Sequence, residues 1–202
     1  RNNYLDKRGY DAGKVTLLKI YKATVDEKGK WTDVTPLPFN GDNYQTAHPA
    51  LSPDGKTMYF ASDMPGGFGK SDLYKVTIND DGSFGTPVNL GKTINTQGRE
   101  TYPFVTNQNE LYFSSDAHPG LGGLDIFVAR LDENGNWGTP ENMGYPINTR
   151  FDENSLMVDA NGELAFFASN RTGGFGDLDI YYFELPEKFK PIRTLYFDGL
   201  VF

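Results

Sequence analysis

The sequence contains no cysteine. Disulfide staples and thiolate metal sites are therefore excluded, and a packed core must hold the chain. It also lacks any block of Lys or Arg, and its net charge is −8 with a pI near 4.7. Such a chain repels phosphate backbones, which argues against nucleic acid as a partner. No apolar run approaches the roughly 18 residues that cross a bilayer as a helix. No segment keeps a helical period with caps. There is no signal peptide, and Arg1 rather than Met opens the chain, so it reads as a processed or excised piece.

What is present is a strand-forming composition. Hydrophobic residues make up 38% of the 202 positions and aromatics 14%, enough to bury a core as one domain. Twenty-three Gly and 12 Pro supply turns without reaching a disordered composition. Three segments share one pattern: Tyr59-Phe60-Ala61-Ser62-Asp63 leading to Asp72-Leu73-Tyr74, Tyr112-Phe113-Ser114-Ser115-Asp116 leading to Asp125-Ile126-Phe127, and Phe166-Phe167-Ala168-Ser169-Asn170 leading to Asp179-Ile180-Tyr181. A glycine-rich loop fills each gap. The spacing is about 53 residues, a little above the blade period of propeller repeats. Trp31, Phe84 and Trp137 repeat at the same spacing, and Lys19-Ile20-Tyr21 marks a partial earlier copy.

Each copy reads as four strands. In the second full copy these are 101–105, 110–114, 125–131 and an outer strand 137–143, with Asp132-Glu133-Asn134-Gly135 as the hairpin turn, its Asn-Gly being the sequence preferred where both turn residues need positive φ. The expected fold is an all-β propeller of four-stranded antiparallel blades, an incomplete ring of about three to four blades. The expected divisions are a partial first blade with linker (1–46), two blades (47–99 and 100–152), a partial last blade (153–190), and a linker opening a β-sandwich (191–202).

The candidate sites follow from the repeat. Asp72, Asp125 and Asp179, with Gly67, Gly123 and Gly174, read as structural positions. The glycines supply positive φ, and each carboxylate accepts N–H bonds from its own loop. Calcium held with Asp63 or Asp116 is the rival reading, but the EF-hand pattern is absent. No catalytic or metal residue and no cofactor is expected. His48 and His118 fall in different registers, a poor metal pair or dyad. Glu100, Asp152 and Glu153 are the carboxylates a glycosidase would use, yet Glu100 and Glu153 sit at equivalent repeat positions. The loops between second and third strands share a face with the blade-to-blade loops. That face collects Asp63, Arg99, Glu100, Asp116, His118, Arg150, Asp152 and Arg171, a charged rim suited to a protein partner. Sugar stacking on Trp31 and Trp137 is the alternative.

Ala47-His48-Pro49-Ala50-Leu51-Ser52-Pro53-Asp54-Gly55-Lys56, then Met58-Tyr59-Phe60-Ala61-Ser62 and Asp72-Leu73-Tyr74, resembles the WD-like repeat of TolB. More closely it resembles the propeller domains of OmpA-family envelope proteins of Bacteroidota, over about residues 1–185. The resemblance implies a periplasmic, outer-membrane-associated location and a non-catalytic scaffold role. The implied partners are envelope proteins, with a link to type IX secretion and gliding. It also implies a peptidoglycan-binding domain that these residues do not include.

Overall fold

A computed structural model describes residues 10, 13, 14 and 16–190. Among the described residues, thirteen strands form four antiparallel sheets. The first sheet pairs β1 (Tyr21–Val25) with β2 (Trp31–Pro36). The second runs β3 (Thr46–Leu51), β4 (Thr57–Ser62), β5 (Asp72–Thr77) and β6 (Val88–Asn89) in chain order. The third repeats this with β7 (Glu100–Val105), β8 (Glu110–Ser115), β9 (Asp125–Arg130) and β10 (Glu141–Asn142). The fourth has β11 (Glu153–Val158), β12 (Leu164–Ser169) and β13 (Asp179–Glu184), followed by a 3-10 turn at Glu187–Phe189. This is a partial β-propeller. The stretch 191–202, expected to begin a sandwich, lies outside the described residues, as do residues 1–9.

The sheets stack face to face. Tyr59, Ala61 and Leu73 of the second sheet pack on Val105, Leu111, Phe113 and Phe127 of the third. The other face of the third presents Tyr112, Ile126 and Val128 to Leu156, Ala165 and Phe167 of the fourth. Phe60, Tyr74 and Val76 cover Ile20, Leu37 and Phe39 at the earlier end. Sheets covered on both sides need apolar residues on both faces, so β8 is buried throughout while β13 alternates.

Two local expectations need correction. The outer strands are two residues long, and Trp137 meets Leu131 through a single bridge. Pro140 has no N–H, so the ladder forms only after it. The Asn-Gly turn is not one with both residues at positive φ. Gly135 alone has positive φ, its N–H reaches Asp132 O at 3.0 Å, and Asp132 Oδ1 caps the N–H groups of Asn134 and Asn136. The four-residue span Asp132–Gly135 stands as expected, closed by a left-handed glycine, and Asp26–Gly29 and Asp159–Gly162 bond in the same way.

Candidate functional site

One mechanism holds the loop face of the second, third and fourth sheets. Asp72 accepts the N–H groups of Phe68 (2.7 Å) and Gly69 (3.0 Å) and the Asn89 amide (2.7 Å). Asp125 accepts those of Leu121 and Gly122, both at 2.9 Å, and Asp179 those of Phe175 (2.8 Å) and Gly176 (3.2 Å). Burial raises the Asp125 pKa against the lowering effect of those two N–H bonds, and its Oδ1 has no partner. The glycine before each tip is required by space. A Cβ on Gly67 would lie 2.8 Å from Asp72 Oδ2, and one on Gly120 or Gly174 would collide with Asp125 or Asp179. Gly120, not Gly123, is therefore the counterpart of Gly67; Gly123 instead abuts Asp152 Oδ1. Among these positions positive φ belongs to Gly66 and Gly173, not to Gly67, Gly123 or Gly174.

The clamped tips are apolar and exposed. Phe68, Leu121 and Phe175 occupy one repeat position on the second, third and fourth sheets and are 40%, 54% and 105% exposed. Lys92 Nζ sits 5.7 Å from the Phe68 ring centre. The first two tip loops lie beside the next blade-to-blade loop: Lys70 N–H donates to Gly98 O (2.7 Å) and Gly123 N–H to Phe151 O (3.3 Å).

The eight charged candidates divide into three groups. Arg99 and Arg150 are exposed, Arg150 lying over the Phe151 ring. Asp63, Asp116 and Asp152 use carboxylate oxygens to fix backbone N–H groups of Gln45 (2.6 Å), Arg99 (2.6 Å) and Leu124 (2.9 Å). Glu100, His118 and Arg171 are not free rim residues. Glu100 is fully buried, bonded by Thr96 N–H and Oγ and by Ser115 Oγ, and burial raises its pKa despite those bonds. Glu153 is held identically by Thr149 and Ser169. Arg171 Nη2 donates to Glu153 and to Ile147 O, and its guanidinium lies over Phe167 and Tyr181. His118 fills the equivalent place in the third sheet, with Nε2 2.8 Å from Ile94 O and its ring against Phe113 and Phe127.

Sequence reasoning missed the residues that tie these loops down. Asn95 and Asn148 each bond both backbone groups of one β5 or β9 residue, Leu73 or Ile126, and also the Asn89 or Asn142 side chain. Asn40 clasps Ile20 in the same way. The signal was available: Ile-Asn-Thr recurs at 94–96 and 147–149, with the repeat's own period. The apolar tips were also missed, because the loops read as glycine punctuation.

A cleft of about 250 Å³ opens between β3 and β7, lined by Asp63, Lys70, Arg99, Thr101, His48 and Tyr102 among others. The His48 and Tyr102 rings stack 3.8 Å apart, and His48 Nδ1 lies 2.5 Å from Thr101 Oγ. Burial lowers the His48 pKa to about 4. His48, Tyr102 and Ser155 share a repeat position with φ of 52°, 50° and 57°, each at the register shift of its first strand. Positive φ on such residues is strained backbone, here set by the bulge. Trp137 packs on Tyr59 between sheets, whereas Trp31 is 68% exposed.

No protein-family profile matches the sequence, and no curated protein does either. Solved structures are similar in fold. A TolB-type protein from Agrobacterium tumefaciens aligns over 89% of this chain and 61% of its own (TM-score 0.50, 16% identity). An α-L-arabinofuranosidase from Lactobacillus brevis aligns over 95% and 71% (0.56, 17%). A GH43 endo-arabinanase from Bacillus licheniformis aligns over 82% and 63% (0.53, 17%). The chain thus spans about three fifths to seven tenths of these structures, and at such identity the likeness concerns the fold alone.

Proposed function

We propose that this chain is a non-catalytic protein-interaction module of the bacterial cell envelope, scaffolding outer-membrane or periplasmic partners within a larger OmpA-family protein. The repeat's resemblance and the TolB-type fold support the setting. The observation that carries the binding role is the row of exposed apolar tips, Phe68, Leu121 and Phe175, each pinned by a repeated aspartate. Apolar side chains on pre-ordered loops bind at low entropic cost, and neighbouring Lys92, Arg99 and Arg150 supply a polar rim. The test replaces all three tips by serine and measures affinity for partners co-purified with the parent protein. The expected result is at least about tenfold weaker binding with an unchanged unfolding midpoint. Unaltered affinity for every partner would refute this face.

One observation favours a second reading, glycan binding. The cleft carries a stacked imidazole and phenol ring, and two of the similar folds are an α-L-arabinofuranosidase and an endo-arabinanase. Of the carboxylates a hydrolase would use, Glu100 and Glu153 are enclosed by Thr and Ser donors and Asp152 accepts the Leu124 N–H, so this reading is one of binding. Calorimetry with arabino-oligosaccharides decides it: heat lost on His48→Ala supports the second reading, and no heat from the wild type removes it.

A further inference from the structure

The junction between the third and fourth sheets contains its own carboxylate. Asp152 Oδ1 accepts the Leu124 N–H at 2.9 Å, and the absence of a side chain on Gly123 leaves room for it. The junction between the second and third sheets has the same backbone pairing, with Lys70 N–H on Gly98 O as Gly123 N–H is on Phe151 O. Its side chains carry the opposite charge. Two residues before Asp72, Lys70 stands where Gly123 stands before Asp125; one residue before Glu100, Arg99 stands where Asp152 stands before Glu153. Ser71, the counterpart of Leu124, has only a 3.3 Å bond from its N–H to Gly98 O. Beside it opens the cleft of about 250 Å³, with Lys70, Ser71 and Arg99 in its wall. Among the described residues no carboxylate pairs with Lys70. Arg99 approaches Asp116 only to 3.7 Å, and its side chain is 58% exposed. Asp63, also in the wall, accepts the Gln45 N–H at 2.6 Å.

We propose that this cleft receives a carboxylate from a partner protein, a Glu or Asp side chain held by the Ser71 N–H, Lys70 and Arg99. The later junction is the template: there a carboxylate of the chain itself sits on the equivalent N–H. Here the chain supplies two cations and no such acid. A carboxylate bonded by a backbone N–H, an ammonium and a guanidinium makes charge-assisted hydrogen bonds, and Arg can engage both oxygens. His48 in the same wall adds no charge at pH 7, since burial lowers its pKa to about 4. Size favours a single side chain over an oligosaccharide, because pockets that enclose a small ligand run from roughly 300 to 1,000 Å³. Phe68 precedes Lys70 by two residues, so an acid in the cleft brings its own chain neighbours to an apolar tip. The partner segment is therefore an acidic residue flanked by apolar ones. This site rests on the reading of the loop face as a protein-binding one, and it names the chemistry that the face recognises.

The probe is the tripeptide leucine-glutamate-leucine, blocked at both ends so that the glutamate side chain is its one carboxylate. The same peptide with glutamine is the control, and tri-galacturonate presents the carboxylate on a sugar. Binding to the whole chain is followed by NMR at the Ser71 N–H and the Arg99 side-chain N–H. The glutamate peptide should shift both signals saturably, and the glutamine peptide should bind at least about tenfold more weakly. The double variant Lys70→Ala, Arg99→Ala should weaken the glutamate peptide to a similar extent. Its unfolding midpoint should be unchanged, because both side chains are exposed. No shift with the glutamate peptide, equal binding of the glutamine peptide, an unaffected double variant, or tighter binding of tri-galacturonate would each overturn the inference. The serine variant of the three tips separates the two claims. Partner affinity that survives it, with the glutamate peptide still bound, refutes the tips and leaves the carboxylate site standing.

Discussion

Single residues do most of the work of holding this face, and they do so by bonding backbone. Asn148 is fully buried and its amide replaces a strand partner for Ile126. Asn148→Ala should therefore cost about 1–3 kcal/mol, because it strands the buried Ile126 N–H, while the Ile126 carbonyl keeps the Met143 N–H. Arg150→Ala, on the exposed rim, should stay within about 0.5 kcal/mol in the same denaturant titration. His48 gives a pH signature. Its folded pKa, about 4, lies below the ordinary value of 6.5, so the unfolded chain binds its proton first. The His48 contribution is full above the ordinary value and is lost as pH falls towards about 4. Wild type minus His48→Phe stability should decline across that window, and the His48 ring signal should show no titration near pH 6.5. At this scale the repeated aspartates were legible because carboxylates beside glycines at one period have a shared task. Arg171 was not: nothing local shows that its guanidinium turns inward to Glu153 instead of outward to solvent.

Elements were read well where both periodicity and turn chemistry spoke. The inner three strands of each copy are short apolar-rich runs bounded by turn sequences, glycine-containing except at Thr106–Asn109, so their positions were legible. The outer strands were overextended, because Trp137 looks like a strand residue and the Gly138 N–H does bond Arg130 O, but Pro140, with no N–H, interrupts the ladder after it. The bulges were invisible, since Ala47-His48-Pro49, Thr101-Tyr102-Pro103 and Asn154-Ser155-Leu156 show no common signal for positive φ. The loop clamp yields a prediction at this scale. Asp72→Ala removes the acceptor for Phe68, Gly69 and Asn89, and should free residues 66–69 while the β4–β5 ladder persists. Limited proteolysis should cut there first in the variant, with a stability loss of about 2 kcal/mol.

At the scale of the whole molecule, rigid stacked sheets hold apolar tips on one face and hairpin turns on the other. The stack was legible in the sequence because the period fixes which faces meet. The proposed binding face was drawn from its charges, which drew attention away from the apolar Phe68, Leu121 and Phe175. A photo-crosslinking residue placed in turn at those three positions, and as controls at Asn134 and Asn161 on the opposite turns, tests the central claim most directly. Crosslinks to a partner protein from the three tips and none from the controls are predicted. Crosslinks from the turns alone, or from no position, would contradict it.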